Sequence, residues 1–185
     1  MNWLIFAIVC WVMFAFEWGF DALRLGETDI APMLPIVLLV VVALRAPTRH
    51  AMVAAAVIGL LYDIMMQVNI AGGGEAVVLG PHALGCMLGV YAVLLSRSLM
   101  YRRGVLAIVV TAILVAMLMN VVATVLLAVR STYDVIEPGR AVVQLGRGLG
   151  SALYTGAAAI VVGSVLLALR RVFQFSEPAR SGYRG

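Results

Sequence analysis

Asp63 and His82 are the two residues of this sequence whose types and placement could do chemistry together. Asp63 lies near the end of one apolar run, and His82 opens the next, so both should meet the same side of a membrane. A carboxylate about four residues from its helix end sits ~6 Å inside, where it faces protein or water rather than lipid. Three chemistries fit the pair. They are a structural Asp–His clasp, a binding site for a partner or ligand, and proton handling, since imidazole as a class titrates near neutrality.

Few other side chains compete. Asn120 falls in the middle of a long apolar run, where a bare amide is costly and wants a partner. An interhelical hydrogen bond and a ligand contact both satisfy it. Cys10 and Cys86 lie inside apolar runs without metal spacing and read as packing residues. The loop between Asp63 and His82 carries Gly72-Gly73-Gly74, but no Lys follows, so it reads as a flexible hinge and not a phosphate cradle. No nucleophile–base set or metal cluster is visible. The expectation is no catalysis, no metal and no cofactor.

The elements that must position these residues are apolar helices. The chain of 185 residues is 64% hydrophobic and only 12% charged, which marks an integral membrane protein. The length allows one bundle and leaves no room for a soluble domain. All 13 basic residues are Arg, and they cluster between apolar segments as topology signals do, not as a nucleic-acid patch.

Six spans are expected, at about 3–20, 30–44, 51–67, 82–99, 104–129 and 147–169, as one all-α transmembrane domain over 1–170. The Arg-rich tail at 171–185 follows. The first run has no basic residue ahead of it and no small-x-small site behind it, so it reads as a retained span. The second is short, at ~22 Å for a ~30 Å hydrocarbon core, and carries Pro32 and Pro35. A tilted or locally thinned insertion and a transporter-type binding site both fit such a segment. In the third, Ala55, Gly59, Asp63 and Gln67 share a small and polar face, opposite greasy Val57, Leu60, Leu61 and Ile64. The small face is expected to meet protein. In the fourth, His82, Gly85 and Gly89 form a stripe expected to pack on that face. Gly148, Ala152, Gly156, Ala159 and Gly163 make a similar stripe in the sixth, just after Arg147.

Nine arginines fall on the side of the second and fourth connections and the tail, and four on the other. The positive-inside rule then places both termini in the cytoplasm and the Asp63–His82 end outside.

The order of short motifs resembles the MreD family of bacterial rod-shape-determining membrane proteins. The resemblance rests on Ala43-Leu44-Arg45-x-Pro47, on Gly59-Leu60-Leu61-x-Asp63, and on Leu79-Gly80-x-His82-Ala83-Leu84 with Tyr91 beyond, within a layout of similar size. It covers roughly residues 30–170. The loop between Asp63 and His82 is longer here than in the family, which leaves their geometry open. The resemblance implies a non-enzymatic scaffold in the bacterial inner membrane. Such a protein binds the single-span protein MreC, and through it connects the actin-like MreB filament to peptidoglycan polymerase and transpeptidase. It also implies a fold similar to the six-helix substrate-binding subunits of energy-coupling-factor transporters. The rival is therefore a small-molecule-binding subunit of a vitamin-type transporter. Candidate structural or partner-binding residues are Gly59, Asp63, Gly80, His82, Gly85, Gly89, Asn120 and Arg147.

Overall fold

The computed structural model describes residues 2–20, 24, 30–69, 75–100, 104–132 and 141–168. The triple glycine, Arg102, Arg103, most of the acidic connection after Phe20 and the tail lie outside those residues. Six helices are present: α1 (Trp3–Gly19), α2 (Leu34–Arg45), α3 (Thr48–Met65), α4 (Pro81–Met100), α5 (Gly104–Arg130) and α6 (Ala141–Ala168). The strands β1 (Val68–Asn69) and β2 (Glu75–Ala76) pair antiparallel between α3 and α4. The connection read as a hinge thus closes on a short ladder. Among the described residues, three helices are long and apolar enough to cross a membrane: α3, α5, and α6 over Val143–Ala168. Helices α1 and α2 are apolar but shorter.

Helix α2 is the hub. Every residue from Leu34 to Leu44 is buried, and α2 touches all five other helices. Its sequence, LPIVLLVVVALR, is apolar on every side, as a helix surrounded by protein must be. The helix begins at Leu34 and not at 30; Pro32 disfavours helical geometry at Ala31 before it. Pro35 then fits the first turn, where its missing N–H costs nothing.

Around the hub, α3 packs on α4, α4 on α5 and α5 on α6. On α3, Ala51, Ala54, Ala55, Ile58, Gly59, Tyr62 and Asp63 are buried, whereas Val57, Leu60 and Ile64 are exposed. Gly59 permits the closest approach. A Cβ there would lie 2.4 Å from Ala83 Cα of α4.

Two sequence expectations change. Gly85 and Gly89 do not face α3; a Cβ on Gly85 would meet Met119 Cα of α5 at 2.8 Å, and one on Gly89 would meet Val115 Cγ1 at 3.0 Å. Helix α4 is packed on both flanks, so its small stripe serves the α5 flank while Ala83 serves α3. Helix α6 starts at Ala141, not at Arg147, because Gly146 does not interrupt it. Arg147 is therefore an exposed residue inside the helix. Across α5 and α6, Gly156 abuts Ile113, and Gly163 abuts Ile108.

Candidate functional site

Asp63 sits in the last turn of α3 and is fully buried. Its carboxylate faces the start of α4. Oδ1 accepts from His82 N at 2.9 Å and lies 2.9 Å from His82 Nδ1. Oδ2 accepts from Gly80 N at 2.7 Å and Ala83 N at 3.2 Å. A carboxylate only accepts, so His82 presents a proton on Nδ1.

The local sequence explains this arrangement. The first N–H groups of a helix have no partner within it, and a Ser, Thr, Asp or Asn side chain usually caps them. Leu84 N donates to Gly80 O, so Gly80 is the residue that flanks α4, and glycine has no side chain to cap with. Its φ of +118° suits the turn into the helix, a conformation that favours glycine. Asp63 supplies the missing cap from the preceding helix, and its negative charge meets the positive end of the α4 dipole.

A second carboxylate does the same for α2. Glu17, in the last turn of α1, accepts from Leu34 N at 3.0 Å and from Tyr62 OH at 2.9 Å through Oε2. Met33 N, one residue earlier, donates to Thr155 Oγ1 at 2.9 Å, and Thr155 donates to Ser151 O at 2.6 Å. The buried start of α2 is thus capped by α1 and α6 together. Glu17 precedes Leu34-Pro35 by the same interval, 17 positions, that Asp63 precedes Gly80-Pro81. Tyr62 joins the two caps. It donates to Glu17, is the neighbour of Asp63 in sequence, and places its ring 6.5 Å from that of His82.

Glu17, Tyr62 and Thr155 escape a reading of residue types. Glu17 looks like one of the solvated acids of the connection that follows, and Tyr62 like an ordinary apolar-face aromatic. The available signal is the repeated interval from a segment-ending carboxylate to an X-Pro pair that opens the next helix.

Asn120 sits beside the start of α2, its Nδ2 3.8 Å from Met33 Sδ. Its Nδ2 donates to Ala116 O at 2.9 Å and to Gly148 O at 3.3 Å, bridging α5 and α6. Gly148 makes room for it, since a Cβ there would fall 2.8 Å from Asn120 Cγ. Cys86 Sγ lies 3.4 Å from Met119 Sδ, and Cys10 is buried on α1. Among the described residues no group of three His, Cys, Asp or Glu side chains could hold a metal ion. A cavity of about 240 Å³ opens beside Glu17, with Trp18, Arg24, Met33, Met66 and Ser151 on its walls.

No protein-family model, no curated protein and no solved structure matches the chain.

Proposed function

We propose that this chain is a non-enzymatic membrane scaffold of the MreD type, a part of the bacterial cell-elongation machinery. All six helices cross the inner membrane as one bundle, similar to the substrate-binding subunits of energy-coupling-factor transporters. Both termini are cytoplasmic. Its partner is an MreC-like single-span protein, through which it reaches MreB filaments and the peptidoglycan polymerase and transpeptidase.

One observation carries this reading. Two of the three motifs behind the resemblance converge on a single junction: Gly59 lets α3 touch α4, and Asp63 holds Gly80, His82 and Ala83. Both Asp63 oxygens are engaged within the protein. Such a motif builds a rigid helix pair, which a scaffold needs, and keeps the Asp63 carboxylate engaged within the protein. The test is to purify the tagged full chain in mild detergent from its native host and identify what accompanies it by mass spectrometry. Recovery of a single-span coiled-coil protein with cell-wall synthases is the expected result. Recovery of an ATPase pair with a stoichiometric metabolite would overturn it.

The second reading, a vitamin-type transporter subunit, draws on the cavity beside Glu17, whose Trp18, Arg24 and Ser151 offer the mixed aromatic and polar lining of a small-molecule site.

A further inference from the structure

Helices α1 and α3 run parallel and touch near both ends. The Trp3 ring lies 5.6 Å from His50 at one end, and the Phe14 ring 5.0 Å from Tyr62 at the other. Between these contacts the helices part, leaving an open groove of about 410 Å³. Its walls are wholly apolar, formed by Trp3, Phe6 and Phe14 of α1 and by Val57, Leu61 and Met65 of α3.

The groove is open along one side and follows α1 from Trp3 to Phe14, ~16 Å, a length that suits one hydrocarbon chain lying along it.

The Trp3 end of the groove is basic. Trp3 packs on His50, whose Nδ1 is buried and has no hydrogen-bond partner among the described residues. Arg49, next to it, is exposed. Helix α3 starts here without a side-chain cap at Pro47, and the first N–H groups of a helix favour an anion. Arg97 Nη1 donates to Ala46 O at 2.9 Å and steadies the turn that presents this corner.

We propose that the α1–α3 groove holds one acyl chain of an anionic phospholipid, with the lipid phosphate set against Arg49, His50 and the start of α3. The apolar walls select a chain, and the basic corner selects an anionic headgroup. The assignment requires a membrane location but is independent of the scaffold reading, because lipid binding is read separately from partner recovery.

The experiment is a native mass-spectrometry titration of the full chain in detergent with phosphatidylglycerol or phosphatidylcholine of identical acyl chains. Wild type is expected to bind one phosphatidylglycerol about tenfold more tightly than phosphatidylcholine. Arg49→Ala combined with His50→Phe, which keeps a ring against Trp3, should bring the two lipids together. Val57→Trp should fill the groove and weaken both roughly tenfold, with Leu61→Phe as the smaller variant if Val57→Trp does not fold. Val125→Trp, on the exposed face of α5, should change neither. Equal binding of the two lipids by wild type would overturn the proposal. So would a basic-corner variant that keeps the preference, or groove variants that bind like wild type. Loss of a co-purifying polypeptide from Val57→Trp, with lipid binding unchanged, would assign the groove to a protein partner instead.

Discussion

At the scale of single residues, the common theme is a carboxylate that finishes one helix and starts the next. A buried N–H without a partner costs about 1–3 kcal/mol, and a helix start leaves several of them. Glu17 and Thr155 meet that need for α2, as Asp63 does for α4. Tyr62→Phe removes one donor from Glu17 and keeps the ring against Phe14, so it should cost about 1 kcal/mol. Thr155→Val keeps the shape but strands Met33 N, and should cost about 1–3 kcal/mol. Thermal unfolding in detergent reads both; an unchanged midpoint for Thr155→Val would mean that water or another group serves Met33. Asp63 and His82 could be picked out from the sequence because a charge and an imidazole are rare in apolar runs. Their contact could not, because the loop between them does not fix the geometry. Glu17 was hidden by its neighbours Asp21, Glu27 and Asp29, among which it reads as one more solvated acid.

At the scale of elements, glycine decides which helices touch. A Cβ on Gly59 would overlap the α4 backbone at Ala83 Cα, and backbone cannot step aside as a side chain can. Gly59→Ala should therefore destabilise by about 3 kcal/mol, with the α3–α4 pair opening. Gly89→Ala meets the side chain of Val115 at 3.0 Å and should cost less, on the α4–α5 flank. Gly19→Ala meets nothing within 4 Å and should stay within about 0.5 kcal/mol of wild type. The unfolding midpoints should fall in that order; a neutral Gly59→Ala would contradict the close approach of α3 and α4. The small stripes of α3, α4 and α6 are plain in the sequence, since periodicity reveals a face. Periodicity does not name the neighbour, which is why Gly85 and Gly89 point to α5 and not α3. The central place of α2 had a visible cause, apolar residues on every side. A short all-apolar helix looks the same whether lipid or protein surrounds it.

At the scale of the whole molecule, a short hub helix is held by five others, and two carboxylate caps joined through Tyr62 fix its start and that of α4. In the proposed membrane orientation those caps lie toward the outer face, and the basic corner at Arg49 and His50 toward the cytoplasm. A reporter fused after Gly185 should read as cytoplasmic, and a periplasmic signal would reverse the topology. On the scaffold reading the conspicuous buried carboxylate is a clasp and not a reacting or transporting charge. Asp63→Asn and Asp63→Leu separate these roles when unfolding midpoint and partner recovery are measured on the same preparations. Asn keeps an oxygen acceptor for the α4 N–H groups, so it should lose about 1–2 kcal/mol and retain the partner. Leu strands Gly80 N, His82 N and Ala83 N, and should lose about 3–5 kcal/mol together with the partner. An Asp63→Asn protein as stable as wild type but unable to recover its partner or support function would contradict the clasp and show that the charge itself is required.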